Sequence, residues 1–150
     1  MQGKVSLIVF IVAVIVCGSA IGLVTAPGEW YASLQKPPFN PPNWIFGPVW
    51  TILYVLIGIA GWRAWRLERD GVLMVVWLVQ MALNFLWSPI FFVAQNPMLA
   101  LVIVLAMLGT ILTFIALAWN RDRTAALLFI PYAAWVSFAS LLNASIVWLN

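Results

Sequence analysis

The residues best placed to do chemistry in this chain are aromatic and neutral. Trp77, Gln80, Asn84, Trp87 and Phe91 follow one another at steps of three and four, which puts all five on one face of a helix. Phe46, Trp50 and Tyr54 keep a four-residue step, and Tyr132, Trp135, Ala139 and Asn143 repeat the pattern further on. Aromatic faces stack on flat apolar ligands, while an indole N–H or an amide fixes orientation. With the small residues Ser88, Ala139 and Ser140 among them, three facing stripes would leave a concave aromatic pocket. The same spacing also describes plain interior packing, with Gln80, Asn84 and Asn143 hydrogen-bonding between helices. At this level both readings stand.

What is missing narrows the chemistry. No Asp, Glu, Lys, Arg or His falls in the middle of any long apolar segment, and the chain has no histidine at all. Proton-coupled pumping, carboxylate acid–base catalysis and pores ringed by charge all need such groups. Ser/His/Asp and Cys/His nucleophile arrangements are excluded with them. A single cysteine, Cys17, rules out an internal disulfide and any His/Cys metal cluster. The net charge of +3 is too small and scattered for a nucleic-acid partner.

The elements that must position these stripes are membrane helices. The 150 residues are 65% hydrophobic and 7% charged, and a soluble domain this small could not hide so much apolar surface. Charges divide the chain into uncharged runs that predict five spans, at about 5–25, 44–62, 72–94, 97–119 and 124–149. The long run from Gly71 to Asn120 is two passes, broken at Gln95-Asn96-Pro97. The expected fold is an all-α membrane protein, one domain, a bundle of five transmembrane helices. The first span is too long for a signal-peptide core and is read as retained.

Lys4, Arg63, Arg66, Arg69, Arg121 and Arg123 fall on one side of such a bundle and only Lys36 on the other. The positive-inside rule then places the N-terminus in the cytoplasm and the C-terminus outside, as in a bacterial cytoplasmic membrane. Trp30, Trp44, Trp62, Trp65, Trp119 and Trp148 sit near span ends, as interfacial anchors do. The one long connection, residues 26–43, holds Pro27, Pro37, Pro38, Pro41 and Pro42 and should be stiff, with Glu29–Gln35 able to form a short amphipathic turn. Pro89 and Pro131 lie inside spans and should bend them. Gly18 and Gly22 make a GxxxG step whose partner, inside the bundle or on a second copy, is open.

Three motifs in order give the chain a likeness. Trp30-Tyr31-x-x-Leu34-x-Lys36-Pro37 with Pro41-Pro42, then Asn84-x-x-Trp87-Ser88-Pro89-x-Phe91-Phe92, then Pro131-Tyr132-x-x-Trp135-x-x-Phe138-Ala139-x-x-Leu142-Asn143 resemble the TspO/MBR family of tryptophan-rich sensory and translocator proteins. The resemblance implies a five-helix fold, usually a homodimer, that binds porphyrins, haem-like tetrapyrroles and, in mitochondrial relatives, cholesterol and synthetic ligands. It also implies a ligand cavity formed by Tyr31, Pro41, Phe46, Trp50, Tyr54, Asn84, Trp87, Ser88, Trp135 and Ala139, with loop 26–43 as the lid. Two departures stand out. No Lys or Arg follows Tyr132, so the sterol-associated pattern of mitochondrial relatives is missing. Without histidine, haem would be held by ring stacking rather than ordinary His ligation of iron, with Met81, Met107 or Cys17 as a disfavoured axial alternative.

The function expected from all this is a membrane-embedded binding protein, sensor or carrier for porphyrin-like tetrapyrroles, with no covalent cofactor and no catalytic residue. The alternatives are light-dependent porphyrin degradation by cavity tryptophans, or a structural membrane partner whose stripes are only core.

Overall fold

The computed structural model describes residues 2–150. Five long helices alternate in direction: α1 (Gln2–Val24), α3 (Phe46–Leu67), α4 (Val72–Ser88), α5 (Pro97–Ala118) and α6 (Arg123–Leu149). A one-turn helix, α2 (Glu29–Ser33), lies in the long connection between the first two, and a 3₁₀ turn over Asn43–Ile45 leads into α3. Each long helix is long and apolar enough to cross a bilayer, the third span counting α4 together with the turn that continues it to Val93. Around the bundle α1 packs on α3, α3 on α6, α6 on α5 and α5 on α4, while α4 meets α1 and α3 only lightly. The outward faces stay apolar: Val5, Ile8, Val9, Val12 and Val16 of α1 are all exposed, which in water would be untenable and in lipid costs nothing.

Helix ends differ from the apolar spans where charge was the only guide. α3 runs on to Leu67, beyond the 44–62 span, carrying Arg63 and Arg66 as part of the helix. Charges mark where hydrocarbon stops, whereas a helix stops only when its backbone does, and long cationic side chains reach the interface from inside it. α5 opens where a start was expected, with Pro97 as its first residue and the Asn96 side chain accepting from Leu99 N–H at 3.0 Å.

The two internal prolines behave differently. At Pro89 the third span leaves α geometry for a π segment, Pro89–Val93, where Ala94 N–H reaches back to the Pro89 carbonyl at 3.0 Å. At Pro131 the helix continues as α, so the missing N–H leaves only the Leu127 carbonyl without its usual donor. Gln95, just after the π segment, holds a positive φ of 52°. A non-glycine residue there carries strain of about 1 kcal/mol or more, tolerated where the chain must reverse tightly into Asn96-Pro97.

The core runs the length of the bundle and is centred on Ile57, Leu73, Val104, Ile111, Phe114, Phe129, Tyr132 and Val136, all essentially inaccessible. The glycine question resolves unevenly. Gly18 is buried, and a Cβ there would overlap the ring of Tyr54, whereas a Cβ at Gly22 would meet nothing. Gly58 likewise faces the Ile11 backbone and Gly61 the Trp77 indole. The GxxxG step is therefore half used: Gly18 packs inside the bundle and Gly22 faces outward.

Candidate functional site

The aromatic stripes of α3, α4 and α6 do face one another, and neutral hydrogen bonds join them. Trp77 donates its indole N–H to the Ile57 carbonyl at 3.0 Å, tying α4 to α3. One turn on, a chain of donors crosses three helices. Tyr54 Oη donates to Asn84 Oδ1 at 3.3 Å, Asn84 Nδ2 donates to Tyr132 Oη at 2.7 Å, and Tyr132 Oη donates to Gln80 Oε1 at 2.8 Å. Tyr132 is fully buried and is the hub, its hydroxyl used as acceptor and donor at once. In lipid no water competes for these groups, so each bond fixes a helix–helix register. The Gln80 Nε2 group is buried without a partner.

Above this chain, towards the long loop, the site becomes purely aromatic. The Trp50 ring lies 5.5 Å from that of Tyr54 and 6.3 Å from that of Tyr132. Phe46 meets Trp135 edge-on at 5.7 Å, and Trp135 meets Phe138 at 5.7 Å. Trp135 Nε1 is buried with no hydrogen-bond partner. An unpaired buried indole N–H is costly and uncommon, so with Gln80 Nε2 it marks a place where a polar atom is wanted and absent, and it is the one of the two that lies in the aromatic part towards the loop. Ala139, one turn beyond Trp135 on α6, keeps that face of the helix shallow.

A second aromatic group forms where α4 turns into its π segment. Trp87 stacks on Phe91 at 5.1 Å and donates to Asn143 Oδ1 at 3.1 Å, while Asn143 Nδ2 donates to the Pro97 carbonyl at 2.8 Å. Tyr31 of α2 sits edge-on against Phe92 at 5.4 Å and Phe91 at 6.2 Å, with Lys36 Nζ 4.5 Å above its ring. Burial pushes the Tyr31 phenol above its ordinary value, and the Asn40 amide opposes this only in part. The loop is pinned elsewhere by Phe39 against Phe138 at 6.3 Å and by Asn150. The Asn150 amide accepts from Gln35 N–H at 3.0 Å and donates to the Gln35 carbonyl at 2.9 Å.

Seven of the ten residues singled out from the sequence fall into two neighbourhoods, and Ala139 lies one turn beyond Trp135 on α6. Phe46, Trp50, Tyr54, Asn84 and Trp135 share the α3/α4/α6 cluster. Tyr31 and Trp87 belong to the aromatic group under the loop, joined through Phe91 and Phe92. Pro41 is half-buried in the loop, and its carbonyl accepts from Asn40 Nδ2 at 3.4 Å. Ser88 turns to α1, where its hydroxyl pairs with that of Thr25. Two surface grooves flank the site, and no residue of the cluster lines either. One of about 570 Å³ lies between α1 and the π segment, and one of about 450 Å³ lies between Pro37-Pro38 and the last turn of α6.

Sequence reasoning missed the seat of Tyr54, made by Gly18, and the role of Tyr132 as the shared partner of Asn84 and Gln80. Periodicity put Tyr132 on the right face, but only the packed helices show which polar groups it meets. Among the described residues no cluster of His, Cys, Asp or Glu is arranged to hold a metal. Cys17 is exposed on α1 and Met107 Sδ lies 3.6 Å from Tyr132 Oη, inside the hydrogen-bonded chain.

Comparison with known proteins agrees with this architecture. A tryptophan-rich protein TspO of Archaeoglobus fulgidus is 42% identical over 148 residues, 96% of each chain. The tryptophan-rich sensory protein of Cereibacter sphaeroides is 35% identical, covering 94% of this chain and 90% of its own length. The translocator protein of Bos taurus is 38% identical over 84% of this chain and 79% of its own. The family model described as TspO/MBR matches residues 9–149. This chain is an integral membrane protein of the TspO/MBR family.

Proposed function

We propose that the protein binds porphyrin-like tetrapyrroles in the aromatic cluster between α3, α4 and α6, as a sensor or carrier, with loop 26–43 as the lid. One observation carries the reading: the buried, unpartnered N–H of Trp135, bracketed by Phe46 and Phe138 and close to the loop. A flat ligand would exchange the Phe46–Trp135 edge contact for ring stacking and bring an acceptor to that N–H. The neutral lining suits a large apolar macrocycle, and its carboxylates would point to the polar loop end. With no histidine in the chain, stacking and hydrogen bonding carry the affinity, so metal-free and metallated rings should bind alike.

Topology follows from charge. The end bearing Lys4, Arg63, Arg66, Arg69, Arg121 and Arg123 faces the cytoplasm of a bacterial cell, and the proline loop faces outward. Dimerisation belongs to the same proposal, the outward Gly22 of α1 allowing a close approach.

The test is a titration of the detergent-purified protein with a metal-free porphyrin, read by quenching of tryptophan fluorescence. Replacing Trp50 and Trp135 together by Phe should weaken binding by about tenfold or more, since stacking and one hydrogen bond are each worth about 1 kcal/mol. An unchanged titration overturns this site.

A further inference from the structure

The arginine-rich end holds a repeated device that the binding site does not use. Trp62 and Arg66, Trp65 and Arg69, and Trp119 and Arg123 all share one spacing, an arginine four residues after a tryptophan. In each pair the guanidinium lies over the indole, at 5.0, 4.8 and 4.3 Å from the ring centroid respectively. Two other arginines are consumed by carboxylates, Arg63 by Asp122 and Arg121 by Glu68. Arg66, Arg69 and Arg123 are exposed and form no ion pair among the described residues. Glu68 and Asp122, already neutralised, offer no field against an incoming anion, and Asp70 is the one acid at this end without an ion-pair partner among the described residues.

Two of the indoles are themselves locked. Trp62 donates its N–H to Ser6 Oγ at 3.0 Å, and Trp65 packs on Phe10 at 6.0 Å, both across to α1. A guanidinium held over a ring keeps edge N–H groups ordered and available, the geometry that takes a phosphate in a bidentate grip; Arg123 spends its Nε on the Trp119 carbonyl at 3.4 Å and keeps its two terminal NH₂ groups for this. Interfacial tryptophans sit at headgroup depth, so these edges lie where lipid phosphates are.

We propose that Arg66, Arg69 and Arg123 form a binding surface for the phosphate headgroups of anionic lipids, each arginine held ready by its tryptophan. The surface selects phosphatidylglycerol-type lipids over zwitterionic ones and is independent of the ligand cluster at the other end.

The experiment reconstitutes the full chain in nanodiscs of mixed phosphatidylglycerol and phosphatidylcholine and counts retained lipids by native mass spectrometry. The wild type should retain phosphatidylglycerol preferentially. The R66Q/R69Q/R123Q variant should lose most of that preference, each arginine near an anionic surface contributing about fivefold. R66K/R69K/R123K should keep an intermediate preference, because a point charge remains but the bidentate fork is lost. Added salt should erode the wild-type preference. Thermal unfolding in pure phosphatidylcholine checks that the variants fold, and it should match the wild type. No preference in the wild type overturns the proposal even if the variants fail to fold, as does a glutamine variant with undiminished preference. So does displacement of the lipid by inorganic phosphate or a short nucleic acid at equal phosphate concentration, which would make this a general anion site.

Discussion

The two ends of the bundle are held by different kinds of force. At the arginine-rich end, loops of a few residues are clamped by charge. Arg63 Nε reaches both oxygens of Asp122, at 3.0 and 2.9 Å, and Asp122 also caps α6 by accepting from Ala125 N–H at 3.1 Å. Glu68 pairs with Arg121 and accepts from Leu73 N–H at 3.0 Å at the start of α4. Each carboxylate thus joins a helix terminus to a neighbouring helix. At the opposite end an 18-residue connection (26–43) is held by neutral amides and aromatic edges, at Gln35–Asn150, Phe39–Phe138 and Tyr31–Phe92. Each of these contacts joins the loop to one helix or helix end, and none joins one long helix to another. The difference separates two tasks: the charged clamps join helices to one another, whereas the loop contacts join a connection to helices already held by bonds such as Trp87–Asn143, as the proposed lid requires.

That contrast can be broken in four ways. The largest effect is expected from Asp122→Ala, which removes a helix cap and an ion pair whose acid is only 13% exposed. A loss of about 2 kcal/mol should follow, most of it from the cap, because the arginine is partly solvated. Thermal unfolding in detergent measures it, and a cost no greater than that of a loop variant would erase the distinction between the ends. Next comes Asn84→Leu, which strips a partner from both Tyr54 and Tyr132 and should cost about 1–2 kcal/mol. Its double-mutant cycle with Tyr132→Phe should show coupling, and strict additivity would mean that the chain of bonds is not a unit.

Glu68 gives a smaller effect with a definite sign. The Arg121 hydrogen bonds, helped by the Leu73 N–H, hold its carboxyl below the ordinary glutamate value. Its contribution is therefore complete above that ordinary value of about 4.3, and it fades as pH falls towards and through the lower folded value. Glu68→Gln should flatten the acid limb of the stability curve, and an unaltered limb would show that the pair is inert. The smallest global effect belongs to Asn150→Ala, which should leave the unfolding temperature nearly unchanged while raising amide exchange across Glu29–Gln35. A large drop in unfolding temperature would make the loop a structural member rather than a cover.

Much of the scaffold was legible because the bilayer enforces it: uncharged runs, interfacial tryptophans and Pro97 mark the helices and their breaks. The stripes were legible for the same reason, as periodicity reports which face turns inward. What periodicity leaves out is pairing. Gly18 and Gly22 read alike in sequence, yet only Gly18 meets a ring. Ser88 read as part of the pocket wall but pairs with Thr25, because the rotation of a residue beside a widened turn depends on backbone geometry rather than on spacing. Trp62, Trp65 and Trp119 were readable as interfacial anchors; the cations stacked on them were not, although the four-residue spacing was on view.

The π segment at Pro89–Val93 has a consequence for how this chain tolerates change in length. A π turn is an α turn holding one surplus residue, so removing a residue there should restore α geometry rather than break the helix. Everything downstream would rotate by about 100°. Phe91 and Phe92 would swing away from Tyr31, while α4 upstream of Ser88 would keep its face to Tyr132. The surplus residue acts as a phase adjuster. It lets one continuous span present its first half to the bundle and its last turn to the 26–43 loop, and a single-codon deletion is enough to separate the two.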